Sequence, residues 1–416
     1  MTVHAEHGLG ERRSFRGPAI RRLGPTLRWA LAYPSPMTRG VGDGVVVAAR
    51  VDDEQLRIEA VDSFLLLERL FAEAGMTARV GEAGRWSARI IELLGGAESR
   101  LSCQPAVRSV LDLAARTGGA TPHELRGAAI RDSGVWADKS VFWSRNDDYP
   151  TTVLGVLASR RIIEAAFSYR CPACGLGQVI AADDLGDNLQ CNDCEADAPL
   201  SLQVVSGSSW RLRTRDLISQ NRLRSVLPVA SALRLLLDLT RNADTIHYAL
   251  GIEIEADGRS FEIDFAAFVN DDSGASLVVG EAKARQDLED QDVSNLEFVQ
   301  EKLRTLGVEC FIAIASSKER LADQERSRLR RSADRFLPTI ERALGSGGFL
   351  NLPLVLTKES LTVPDAFDLH PLRAAGTHRR DLATLAHWSA QKELGLVGYG
   401  DLRARKLEWT HADPTA

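Results

Sequence analysis

Apolar residues recur along this chain with two periods, and the change of period divides it. From about 60 to 160 they fall three and four apart. "VDSFLLLERLFAEAG" and "RWSARIIELLGG" each carry an apolar stripe and stop at glycine, Gly75 in the first and Gly95-Gly96 in the second. "QPAVRSVLDLAART" and "ATPHELRGAAI" predict two short helices around a Gly118-Gly119 turn. The second opens with Thr121 as cap, Pro122 in the first helical position and Glu124 closing a capping box. Further on, "IIEAAFSYR" has the look of a strand and "VLPVASALRLLLDL" of an amphipathic helix. "HYALGIEIEADGRSFEIDFAAFV" predicts two strands about an Asp257-Gly258 turn, with Phe261, Ile263 and Phe265 inward against Glu262 and Asp264. After the turn "NDDSG", the strand "ASLVVGEAKA" sets Leu277, Val279, Glu281 and Lys283 on one face. "SNLEFVQEKLRTLG" follows as a helix with Ser294 as cap, Glu297 closing its box and Gly307 as stop. "CFIAIAS", apolar throughout, fits a strand covered on both faces. A charged helix over about 317–336 and the strand "LPLVLT" complete an α/β sheet sandwiched by helices.

A length of 416 residues predicts two or three domains, and 44% hydrophobic with 26% charged residues is the make-up of an ordinary globular protein. The net charge of −6 excludes a global basic field, so any nucleic-acid contact rests on local patches. No apolar run approaches the ~20 residues of a membrane helix, and "MTVHAEHGLGERRSFRG" lacks a signal-peptide core. The expectation is a cytoplasmic protein that makes no membrane contact. Arg12, Arg13, Arg16, Arg21, Arg22 and Arg28 make residues 1–30 a basic arm or, on the other reading, a poorly ordered terminus.

Four of the six cysteines form two close pairs, while Cys103 and Cys310 stand alone. Cys171 and Cys174 are separated from Cys191 and Cys194 by sixteen residues, the interval of a four-cysteine zinc site. Each Cys-x-x-Cys makes a knuckle that aims two thiolates at one ion, and Gly175 suits the turn leaving the first. A redox dithiol is the competing chemistry. The stretch resembles the zinc ribbon family over about 40 residues. Its knuckle residues Pro172, Ala173, Asn192 and Asp193 include no base, so a structural or docking role stands beside nucleic-acid contact. Just beyond, "SSWRLRTRDLISQNRLRS" holds Arg211, Arg213, Arg215, Arg222 and Arg224 near Trp210, which reads either as a phosphate-contact surface or as a solvated charged face.

The chain spells its positive charge with forty-four arginines and seven lysines. A lysine at 283, two residues after Glu281 at the end of an apolar strand, is therefore conspicuous. Beside carboxylates and a metal, a lysine can orient or deprotonate a water, whereas a guanidinium cannot give up its proton near neutral pH. Asp264 on the neighbouring strand adds a second carboxylate. Together the three have the composition of a hydrolytic metal site, with the acids holding Mg²⁺ (or Mn²⁺) and the lysine managing the water. Alternating Glu and Lys on a solvated strand is the plain alternative.

Over roughly 226–358 the order helix, strand, strand with Asp, strand with Glu-x-Lys, helix, strand resembles the PD-(D/E)xK nuclease superfamily in its Mrr-like, restriction-endonuclease-like branch. The resemblance implies metal binding by Asp264 and Glu281 and water positioning by Lys283. Ile263 stands where the signature has its proline. Some members use a further acid, for which Asp238, Glu253 and Glu262 are candidates.

The expected fold is an α/β restriction-endonuclease-like core, a mixed sheet flanked by helices, preceded by a zinc ribbon and a mainly helical N-terminal domain. The boundaries are a basic arm over 1–30, a mainly helical domain over 31–161, the ribbon over 162–205, the nuclease domain over 206–365 and a helical tail over 366–416. The short helices around Gly118-Gly119 permit a winged-helix-like reading, but 121–131 is not markedly basic and a plain helical domain is the preferred one. The implied function is a Mg²⁺-dependent DNA endonuclease of restriction, anti-phage defence or repair, with Zn²⁺ as structural ion. DNA, a partner protein of such a system and a second copy of the chain are the implied partners. The alternative is a zinc-ribbon nucleic-acid-binding or assembly protein whose nuclease fold no longer cuts. Arg326, Arg328, Arg330, Arg331 and Arg335, with Arg373, Arg379 and Arg380, either line a DNA channel or are solvated, and His370 and His378 read as surface residues.

Overall fold

The computed structural model describes residues 63–116, 118–132, 149–205, 209–240, 246–271, 274–333, 352–363, 369 and 382–396, and the backbone of six short strands between 3 and 61. The side chains of the basic arm, with Arg335, His370, His378, Arg373, Arg379 and Arg380, lie outside the described residues. The chain forms two compact units, one of 1–88 with 228–416 and one of 89–227.

After the six short strands, the first unit continues with helix α1 (Ser63–Glu73), strand β1 (Thr77–Val80) and the start of helix α2 (Glu82–Leu94). The chain then forms the second unit. There, helices α3 (Pro105–Ala114), α4 (Pro122–Arg131) and α5 (Tyr149–Ser159) precede strands β2 (Ile163–Arg170) and β3 (Gly177–Ala181). A small hairpin of β4 (Asn188–Gln190) and β5 (Asp197–Pro199) follows, then helix α6 (Leu200–Val205) and strand β6 (Ser209–Thr214). The capping box written into the sequence at α4 is present: Thr121 accepts from Glu124 N–H and the Glu124 carboxylate accepts from Thr121 N–H. Helix α7 (Gln220–Leu239) leads back to the first unit.

There the chain adds β7 (His247–Ala256), β8 (Arg259–Asp271), β9 (Gly274–Lys283), helix α8 (Asp290–Thr305), β10 (Cys310–Ser316), helix α9 (323–333), β11 (Leu354–Leu356) and helix α10 (Leu382–Leu394). Its sheet runs β11-β10-β9-β8-β7-β1, parallel across β9, β10 and β11 and antiparallel elsewhere. A mixed sheet flanked by helices is thus present. Every residue of β10 is buried, as its apolar run demands. In a stretch expected to be mainly helical, β1 extends this sheet at the edge of β7, and Leu66, Leu67, Leu70 and Phe71 of α1 pack into its core. The period of α1 announced a helix; no feature of it names the surface that the apolar stripe covers.

The expected alternation on β8 fails at one place. Ile263, Ala266 and Phe268 line a single core, so the inward positions are odd before Asp264 and even after it. β7 changes phase in the same way, from Ala249 to Ile252 and Ile254, across Gly251, which stands opposite Asp264 in the register. Phe265, expected beside Phe261 and Ile263, lies outside that cluster with its ring over Gly280, whose Cβ would come 2.2 Å from it. Gly251 has φ +50°, and a Cβ there would sit 2.3 Å from the backbone nitrogen of Gly84. The kink therefore requires glycine twice over, for its dihedral and for the approach of α2.

Gly258, in the β7–β8 turn, separates these two demands, because it has φ +74° but open space where a Cβ would go. Gly258→Ala should cost about 1 kcal/mol from the dihedral alone. Gly251→Ala should cost about 3 kcal/mol or more, since the opposing atoms are backbone and cannot rotate away. Urea unfolding of the two variants checks the difference.

Candidate metal centres

At the kink, the Asp264 carboxylate accepts the Ala282 N–H of β9 at 2.6 Å. Glu281 and Lys283 flank that amide. The Lys283 ammonium lies 2.9 Å from Glu281 Oε1 and 2.9 Å from Asp292 Oδ2. The structure thus brings Asp264, Glu281 and Lys283 together in a largely buried group. Burial raises the Asp264 carboxyl pKa, with the Ala282 N–H and Lys283 acting against it. Glu281 is pushed up to about 8 by burial and by Asp264, Lys283 again opposing. Burial acts to lower Lys283, yet Glu281 and Asp292 outweigh it and raise its pKa. Two buried carboxylates that resist ionising side by side are a suitable seat for a hard cation, which relieves their repulsion.

Asp292 did not stand out in the sequence. Ser294 with Glu297 looked the better start for α8, because serine caps helices far more often than glutamate does. The helix instead begins one turn earlier, at Asp290, capped by Glu289 in a reciprocal box with Asp292. That turn carries Asp292 to Lys283, and the Glu289-x-x-Asp292 spacing was the signal available. The approach is braced by Glu325, fully buried, which accepts from the N–H groups of Leu288 and Ala322 and from Lys318.

The further acids are less well placed. Asp238 is paired with Arg234 on its own helix. Glu253 lies directly across from Glu262 and is held by Arg79 at 2.6 Å. Glu262 is raised by burial and then by Asp264 and Glu253, so it feels the site. Among the described residues, Glu262 makes no hydrogen bond to the three central ones.

The second centre is the ribbon. Cys171 Sγ lies 3.6 Å from Cys194 Sγ, Cys174 Sγ lies 3.7 Å from Cys191 Sγ, and all four sulfurs fall within 4.8 Å of one another. Tetrahedral zinc with Zn–S of ~2.3 Å needs sulfurs about 3.8 Å apart. Among the described residues this is the one group of three or more His, Cys, Asp or Glu ligands so clustered. The two knuckles match: Gly175 N–H donates to Cys171 O at 2.8 Å and Glu195 N–H to Cys191 O at 2.9 Å. Both turns need a left-handed residue, supplied by Gly175 at φ +76° and by Glu195 at φ +57°. The Cys174 N–H lowers the Cys171 thiol to about 6, whereas Cys194, against the pull of the Ala196 N–H, is pushed up to about 12 by burial and the three neighbouring sulfurs. Without an ion the four thiols therefore do not all ionise together.

The five arginines after the ribbon are engaged within their unit. Arg213 and Arg215 share Glu164, Arg211 donates to Gly119 O, Arg222 to Leu217 O, and Arg224 lies 3.8 Å from Asp112. On α9, Arg326 and Arg330 donate to the carbonyls of Glu393 and Leu394, while Arg328 and Arg331 meet Asp290.

No family model matches the chain, and no curated protein matches it. Among solved structures it is similar to protein VC1899 from Vibrio cholerae, at 14% identity and a TM-score of 0.28. It is also similar to Can2 from Sulfobacillus thermosulfidooxidans, solved in complex with cyclic tetra-adenylate, at 11% identity and a TM-score of 0.26. Each match covers 76% of this chain and 63% of the other. At these TM-scores neither likeness bears on the site. No helix among the described residues is long and apolar enough to cross a membrane.

The ribbon geometry sets two expectations. Purified protein should carry about one zinc per chain, and Cys171→Ser should lose it together with stability, read by elemental analysis and thermal melting. Glu195→Gly should keep the ion and gain roughly 0.5–1 kcal/mol, because it removes left-handed strain at the second knuckle.

Proposed function

We propose that the chain is a metal-dependent DNA endonuclease that hydrolyses phosphodiester bonds, in the manner of the PD-(D/E)xK superfamily, in bacterial restriction or anti-phage defence. The observation that carries this reading is the buried lysine ammonium held between Glu281 and Asp292, with the Asp264 carboxylate fixed on the amide between Glu281 and Lys283. Asp264 and Glu281 would hold Mg²⁺ or Mn²⁺, and two carboxylates suffice because Mg²⁺ keeps several waters and takes phosphate oxygens from its substrate. An ion held there would supply charge neutralisation at the phosphate and a more acidic water. Lys283 points its ammonium into the same space and orients the attacking water. Asp292 keeps the long, otherwise mobile side chain from turning away. The Ala282 N–H fixes the rotamer of Asp264, so that the acid is in place before the ion arrives. Zinc in the ribbon has no part in this chemistry and serves the stability of the second unit.

Cleavage of duplex, single-stranded and modified DNA with Mg²⁺ or Mn²⁺ tests the reading. Lys283→Ala should retain zinc and fold while cutting about 100-fold more slowly or worse. Lys283→Arg should be similarly impaired, since a planar guanidinium is too large for the gap between Glu281 and Asp292. Asp264→Ala and Glu281→Ala should abolish cutting through lost divalent-ion binding, measured by calorimetry, and the losses should not add. If the unaltered chain cuts no nucleic acid, or if Lys283→Arg cuts normally, the binding or assembly protein with an inactive nuclease fold takes its place.

A further inference from the structure

The second unit has an order of elements that the nuclease reading does not use. Three helices, α3, α4 and α5, are followed by the antiparallel pair β2 and β6, and α4 packs against both α3 and α5. Between α3 and α4, Ala120 bridges to Leu212 of β6, with both N–H to carbonyl bonds made at 3.0 and 2.8 Å. The order across the sheet is therefore the short piece at Ala120, then β6, then β2, with β3 beyond. Helix, short strand, two helices and a hairpin whose returning strand lies in the middle form the arrangement of a winged helix. Its third helix is α5, and the ribbon occupies the hairpin tip where a wing stands.

The surface of α5 suits a nucleic acid. Val153, Leu154 and Leu157 are buried, whereas Thr151, Gly155, Ala158 and Ser159 lie exposed along one side. All four are small, and nothing lies within 4 Å of where a Gly155 Cβ would be, so another molecule can approach the helix backbone closely. At its end the chain turns through Arg161 at φ +56°, closed by Arg161 N–H to Ala158 O at 2.8 Å and Ile162 N–H to Leu157 O at 2.9 Å. Glycine is the usual residue in such a turn. An exposed arginine that accepts left-handed strain there points to a use for its charge. Charge at the end of α5 has the same sense: Arg160 and Arg161 are both exposed there, whereas residues 171–205 hold six acids and no lysine or arginine.

We infer that the second unit is a winged-helix module that binds duplex DNA, with α5 entering the major groove, Arg161 on a backbone phosphate, and the acidic ribbon turned away from the DNA. In this geometry the recognition helix presents small and polar side chains to base edges, while the charges at its end fix the register.

The test uses the full chain in zinc-replete buffer without Mg²⁺, with anisotropy of a labelled duplex read across a range of salt. Arg161→Gly removes the charge and relieves the strain, so it should be at least as stable as the parent. It should bind duplex less tightly, and its slope of log affinity against log salt should fall by about 0.9. Gly155→Glu puts bulk and negative charge on the open face of a helix that tolerates them, and it should lose duplex binding with no loss of melting temperature. The inference is overturned if both variants bind as the parent does, if the parent binds single strands or RNA but no duplex, or if Arg161→Gly melts lower than the parent. Because neither Mg²⁺ nor Mn²⁺ is present, the result is independent of cleavage: a chain that binds through α5 but never cuts refutes only the nuclease reading.

Discussion

Asp264 sits where two strands change phase together, and the candidate site depends on that step. In a regular pair, each side chain of β8 would keep the face set by its neighbours two residues away. Across Gly251 and Asp264 the core-facing positions pass from one parity to the other on both strands. The step frees the Asp264 carboxylate to bond the Ala282 N–H, instead of following Glu262 along its own strand. The distortion is tolerated because Gly251 can take φ +50° and because Gly84 and Gly251 let α2 and β7 meet backbone to backbone. A bulge-like irregularity that aims a side chain is a familiar use of sheet distortion.

Lys283 shows what an odd residue choice in a sequence does and does not imply. Rarity drew attention to it, but rarity alone does not distinguish it: Lys302, Lys318, Lys358 and Lys392 also sit in ion pairs. What separates Lys283 is burial, with a side chain 12% exposed against 29%, 19%, 49% and 31% for the others, and not the number of its partners, since Lys318 also meets two acids, Asp287 and Glu325. The arginines are largely structural. Arg326 and Arg330 satisfy the last carbonyls of α10, and Arg213 and Arg215 share one glutamate. Five donors in a rigid fork suit that bracing work, whereas a compact ammonium fits a narrow gap between acids.

Local chemistry was legible in the sequence to the extent that it is local. The Thr121 cap, the Asp257-Gly258 turn, the buried run of β10 and the Gly307 stop all appear where their residues predict, because each is decided by neighbours within a few positions. The cysteine pairs were legible for the same reason. Features set by tertiary packing were not. That α1 and β1 belong to the sheet unit depends on what covers an apolar stripe, and the stripe itself carries no address. Asp292 was hidden because a weak cap beat a strong one: starting α8 at Glu289 places Leu288 under Glu325 and Arg328, and those contacts outweigh the propensity of Ser294.

The two units rest on different sources of stability, which bears on how each tolerates change. The sheet unit has a continuous core from α1 to α10, large enough to absorb a strained kink and a buried charge cluster. The ribbon has a core of Phe167, Tyr169 and Leu189, with Ile180, Leu185 and Leu200 against it, too small to hold two knuckles by apolar burial. Four thiolates around an ion replace that missing core. From Cys171 to Val205 it carries six acids and no lysine or arginine, a charge that does not favour a phosphate backbone. Glycine at 155 and arginine at 161 both work against the stability of α5, one by loosening the helix and the other by straining its turn, and a surface selected for stability alone would carry neither.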